Sequence, residues 1–166
     1  MKARYIVFVL CLCLAVMVWI SGCSLFGGDD TQYTHWEPDL SPDGRFLAYE
    51  STSDPSLEIF IRELSTGAIR RVTDNDVPDW GATWSPDGTR IAFTSSRDDN
   101  VDIYVVDVAS LAVERLTTHE VADINAHWGT DGLVYFNSDR SGNWEIYTVD
   151  PDEKQLTKLT SVESTP

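Results

Sequence analysis

The residues of this chain most able to do chemistry are acids. Asp98, Asp99, Asn100 and Asp102 form one oxygen-rich cluster, and Asp74, Asn75 and Asp76 form another. Calcium prefers ligands of this kind. Neither cluster has the spacing of a calcium loop. Both are therefore expected to be polar hairpin loops, with a calcium-dependent, ligand-binding or carbohydrate-active module as the alternative they support. His35, His119 and His127 stand at scattered offsets that suit no metal site. There is no Gly-x-Ser-x-Gly nucleophile elbow and no Gly-rich phosphate loop. No catalytic residue, metal or cofactor is expected, and the chain reads as a binding module, not an enzyme.

A second set of residues points to partner binding. His35-Trp36-Glu37, Asp79-Trp80-Gly81 and Asp123-Ile124-Asn125 follow one another at intervals of 44 positions. Asp79 and Asp123 are equivalent acids, and Trp36 and Trp80 are equivalent aromatics. Acids beside tryptophan make a plausible protein hot spot. The competing reading is tryptophan buried between packed sheets.

The elements that would position these residues come from an internal repeat. Ser41-Pro42-Asp43-Gly44 recurs as Ser85-Pro86-Asp87-Gly88 and then as Gly129-Thr130-Asp131-Gly132, each 44 positions on. Leu40, Trp84 and Trp128 stand just before these turns. Glu58-Ile59-Phe60 matches Asp102-Ile103-Tyr104 and Glu145-Ile146-Tyr147, and the copies close on Val72-Thr73, Leu116-Thr117 and Leu159-Thr160. In the second copy, strands are expected over 80–84, 90–95, 102–108 and 112–117. The Pro presets φ in the turn, and the Gly supplies a positive φ at its exit. Four short strands in about 44 residues, repeated in tandem, indicate propeller blades. The fold class is all-β, with blades over 35–78, 79–122 and 123–166. Trp84, Trp128, Phe93, Ile103 and Tyr104 are expected in the core. The first strand of each blade lines the channel, so His35, Trp36, Glu37, Asp79, Trp80, Asp123 and Asn125 are expected at the channel mouth.

Ahead of the repeat, Lys2 and Arg4 precede an uncharged run from Tyr5 to Ile20. Charge, apolar run and small residues make a secretory signal over 1–22. The run is short for a membrane span, which needs about 20 apolar residues. Ile20-Ser21-Gly22-Cys23 resembles the lipobox of bacterial lipoproteins, which implies cleavage before Cys23 and a lipid anchor there. Residues 23–34 read as a flexible polar tether. Ser24 stands where Asp would signal inner-membrane retention. The implied place is the periplasmic side of the outer membrane in a Gram-negative cell, and otherwise the outer face of the cell membrane. Cys11 and Cys13 lie in the leader, so the folded part has neither disulfide framework nor thiolate zinc site. The net charge is −15, and loss of Lys2 and Arg4 makes it −17, from 10 bases and 27 acids. Such a surface excludes nucleic acid as a partner.

The second copy carries Trp84-Ser85-Pro86-Asp87-Gly88, Ile91-Ala92-Phe93, Ser95-Ser96-Arg97-Asp98, Asp102-Ile103-Tyr104 and Leu116-Thr117. These residues resemble the WD-repeat-like propeller of the TolB family. The first copy departs at Leu40 and at Asp54-Pro55, and the third has lost the Pro of its turn. The resemblance implies a cell-envelope scaffold that binds envelope proteins. Propellers usually close with about 4–8 blades, because closure hides the apolar faces of the end blades. Three blades therefore suggest a homodimer closing as a six-bladed ring, with a truncated remnant of a longer propeller as the alternative.

Overall fold

The computed structural model describes residues 35–53 and 56–161. They form three four-stranded antiparallel sheets. The first holds β1 (His35–Leu40), β2 (Phe46–Ser53), β3 (Ser56–Glu63) and β4 (Ile69–Arg71). The second holds β5 (Asp79–Trp84), β6 (Arg90–Ser95), β7 (Asp102–Asp107) and β8 (Val113–Arg115). The third holds β9 (Asp123–Trp128), β10 (Val134–Ser138), β11 (Glu145–Val149) and β12 (Leu156–Lys158). In every sheet the strands follow chain order. The fold is a partial, unclosed β-propeller, as the repeat predicts.

The turns form for local reasons. Ser85 Oγ donates to Asp87 Oδ1 at 2.6 Å and accepts the Arg90 N–H at 2.9 Å. Ser41 and Asp43 repeat the arrangement. The third turn has no serine hydroxyl, and Asp131 instead accepts the Tyr135 hydroxyl at 2.8 Å. Gly44, Gly88 and Gly132 all take a positive φ, which glycine adopts without a Cβ clash.

The fourth strand is shorter than expected. β8 covers only 113–115, because Thr117 takes over the ladder. Its Oγ1 accepts the Ile103 N–H at 3.0 Å and donates to the Asp102 carboxylate at 3.2 Å. Thr73 serves Ile59 and Glu58 in the same way, and Thr160 serves Ile146 and Glu145. The closing Thr of each repeat thus ties the outer edge of a blade to its third strand.

The core lies between blades. Ala48, Ile59 and Ile61 of the first blade pack with Trp84, Phe93 and Tyr104 of the second. Ala92, Ile103 and Val105 on the other side of the second blade pack with Trp128, Phe136 and Tyr147 of the third. Trp84, Trp128, Phe93, Ile103 and Tyr104 are all buried, as expected.

Candidate functional site

The first strands β1, β5 and β9 each carry a bulge. Their pairing shifts between Trp36 and Asp39, between Trp80 and Thr83, and opposite Tyr135–Asn137 in the third blade. The residue at the bulge has a positive φ in every case: Glu37 at 43°, Gly81 at 68° and Asn125 at 59°. Gly and Asn accept this conformation readily, whereas Glu carries a strain of order 1–2 kcal/mol there.

In the first and third blades the bulge brings a polar pair together. Asn125 Nδ2 donates to Asn137 Oδ1 at 3.3 Å. In the first blade the pair is Glu37 with Glu50, and Glu50 also accepts the Gly81 N–H of the next blade. Burial pushes the Glu50 carboxyl up to about 7; the Gly81 N–H opposes that rise and the nearby Glu37 charge adds to it. In the second blade Gly81 has no side chain. A Cβ there would lie 3.7 Å from Thr94 Oγ1 and 3.9 Å from a Glu37 oxygen. Thr94 Oγ1 is buried without a hydrogen-bond partner.

The acids expected at the channel mouth are closed off. Asp79 and Asp123 are both 0 % exposed. Arg97 Nη2 donates to Asp79 Oδ2 at 2.7 Å, and Asn75 of the preceding blade donates to the same oxygen at 2.7 Å. Arg140 Nη2 reaches both Asp123 oxygens, at 2.8 and 2.7 Å. Each guanidinium also receives support from a serine, Ser95 or Ser138. Arg97 lies over the rings of Phe93 and Tyr104, and Arg140 lies over those of Phe136 and Tyr147. A carboxylate removed from water needs such a cation. The Ser-x-Arg segment is therefore the lock on the first strand of its own blade, and these two acids present no charge to a ligand.

The other expected residues divide. Trp36 is 45 % exposed, and His35, Glu37 and Asn125 are exposed too. His35 packs edge-on against Tyr49, with ring centroids 5.2 Å apart. Trp80 is half-buried. Cys23 lies outside the described residues. Glu50 escaped the sequence reading. Its signal was a polar residue at the same place of every second strand, Glu50, Thr94 and Asn137, each between an aromatic residue and a serine.

Several acids of the oxygen-rich loops are held in internal pairs. Asp102 is buried, paired with the Arg115 guanidinium at 2.5 Å. Asp98 accepts the Tyr104 hydroxyl at 2.9 Å, and Asp74 pairs with Arg71 at 2.9 Å. Among the described residues, no three His, Cys, Asp or Glu side chains gather as a metal site. No helix among them is long and apolar enough to cross a membrane.

Comparison with known proteins gives a consistent result. A family model described as the TolB beta propeller domain matches residues 29–165. No curated protein sequence matches the chain. The crystal structure of TolB from Acinetobacter baumannii is 29 % identical with a TM-score of 0.70; the match covers 77 % of this chain and 32 % of that one. A TolB-type structure from Agrobacterium tumefaciens is 30 % identical with a TM-score of 0.68, covering 74 % of this chain and 45 % of that one. The chain thus spans less than half the length of either. A puromycin-hydrolyzing peptidase from Mycobacterium tuberculosis shares the propeller fold at 18 % identity and a TM-score of 0.63, over 77 % of this chain and 22 % of that one.

Proposed function

We propose that this chain, which belongs to the TolB β-propeller domain family, is a lipid-anchored interaction module that captures an envelope protein at the starts of its first strands. The observation that carries this reading is Trp36, 45 % exposed beside the strained Glu37. A tryptophan left open next to polar groups that can grip a backbone or a basic side chain is the usual composition of a protein hot spot. The acidic balance of the chain favours a basic partner segment. Lipid attachment at Cys23 would hold this surface close to the membrane. Asp79 and Asp123 act behind it, by fixing the strands that carry it.

A photo-reactive phenylalanine analogue at Trp36 or Asn125 tests the reading in the envelope of the native host. Both positions should yield the same protein adduct. The analogue at Ile69, exposed on the outer β4 strand, should not. Adducts from Ile69 alone, or none from Trp36 and Asn125, would remove the proposal.

A further inference from the structure

Two blade faces among the described residues have no blade packed on them, and they differ from the covered faces in matching ways. On the front of each blade, the end of the first strand pairs with the second strand as Leu40↔Leu47, Trp84↔Ile91 and Trp128↔Val134. Trp84 and Trp128 are each 5 % exposed against the preceding blade, but Leu40 is 50 % exposed. On the back, the second and third strands pair as Ala48↔Ile61, Ala92↔Val105 and Tyr135↔Thr148. Ala48 and Ala92 are 0 % exposed beneath the next blade. Each covered interface therefore sets a large front residue, tryptophan, in the same core as a small back residue, alanine. At the two open faces the sizes are reversed: the front has only Leu40, and the back has Tyr135.

A second reversal accompanies the first. The covered interfaces have an apolar front residue in the second register pair, Val106 or Val149, and an apolar back residue, Ile61 or Val105. The open front has Arg62 at that place and the open back has Thr148. The residue at this place is polar on both open faces, and Thr148 is itself only 3 % exposed. Tyr135 is also built in. A Cβ on Gly129 would stand 2.6 Å from its ring, whereas the two earlier turns carry serine at the equivalent position. The ring and His127 border an open groove of about 400 Å³ on this back face. Elsewhere this back face carries exposed apolar residues, with Ile146 40 % and Leu159 50 % exposed.

We infer that the open back of the third blade receives the open front of the first blade of a second copy, with Leu40 of one copy lying against Tyr135 of the other. A bare solvent face accounts for the polar residues, but it gives no reason for the large and small positions to change places, Leu40 for tryptophan and Tyr135 for alanine. A front-to-back contact between two copies, repeated by a twofold axis, closes a ring of six blades, within the usual range for propellers. The pairing stands independently of what the first strands capture.

The mature protein in mild detergent, followed by light scattering over a concentration range, should give the protein mass of two copies. Leu40→Trp should overpack against Tyr135 and weaken association by about tenfold or more. The double variant Leu40→Trp with Tyr135→Ala restores the large–small order of the covered interfaces and should restore the dimer. A single-copy mass for the unaltered chain throughout the range would overturn the inference, as would a double variant no more dimeric than Leu40→Trp alone. Cysteines at 40 and 135 provide a check that does not depend on affinity. The Leu40→Cys and Tyr135→Cys variants, mixed, should cross-link into a two-copy band that neither forms by itself. If that band is missing, the surface is occupied by something other than a second copy.

Discussion

Arg97 and Asp79 are 18 positions apart in the chain, and they meet at 2.7 Å where the carboxylate is wholly buried. The same guanidinium lies 4.8 Å above the Tyr104 ring. Three strands of one blade are thereby pinned at a single point, and Arg140 with Asp123 repeats the device in the next.

It follows that Arg97→Ala leaves a buried carboxylate without its cation. The expected loss is about 3–5 kcal/mol of folding stability, read from denaturant midpoints. Asp79→Asn, which keeps the hydrogen-bonding shape but not the charge, should cost less. If Arg97→Ala costs just as much in an Asp79→Asn background, where no buried carboxylate is left behind, ring packing and not charge is what Arg97 supplies.

The closing threonines should behave in a graded way. Thr117 is buried and Thr160 is exposed. Thr117→Val removes an acceptor from the Ile103 N–H and a donor from Asp102, so it should cost roughly 1–3 kcal/mol. Thr160→Val, whose groups can turn to water, should cost only a fraction of that. Urea unfolding of the two variants side by side measures the gradient.

Glu50 carries a pH dependence with a definite sign. Its folded pKa of about 7 lies above its ordinary value of 4.5, so the folded protein holds the proton more tightly than the unfolded chain. The contribution of this group to stability is greatest at or below pH 4.5 and falls as pH rises through 7. At about 1.4 kcal/mol per pH unit, the full fall is up to roughly 3 kcal/mol. Glu50→Gln keeps an acceptor for the Gly81 N–H and should raise the melting temperature at pH 8, with the gain vanishing near pH 5. A gain that persists unchanged at pH 5 would show that the carboxyl stays ionised in the fold.

Cys23 has a simpler test. Cys23→Ser should abolish incorporation of labelled palmitate and move the chain from the membrane fraction to the soluble fraction of the envelope. Retention on membranes without label would assign anchoring to the apolar run from Tyr5 to Ile20 instead.

Much of the fold was legible because its causes are local. The Ser-Pro-Asp-Gly turn closes on itself within six residues, and alternating residues such as Ile91 and Phe93 select a common face without knowledge of what covers it. The candidate site was only half legible. Trp36, Glu37 and Asn125 were singled out by their spacing, and the structure leaves them exposed. Asp79 and Asp123 were found by the same spacing but are sealed, because their partners come from elsewhere in the blade and from Asn75 of the blade before. Glu50 was overlooked because its environment is made by Gly81, 31 positions away on another sheet.

The amino-acid sequence by itself therefore determined the blade, its four strands and its turns, since hydrogen bonds and side-chain alternation over a few residues decide them. The tertiary structure alone decided which ionisable groups face solvent and which end faces lack a blade. Desolvation and packing depend on what the next sheet supplies, and a residue such as Leu40 or Trp84 acquires its environment only when the blades stack.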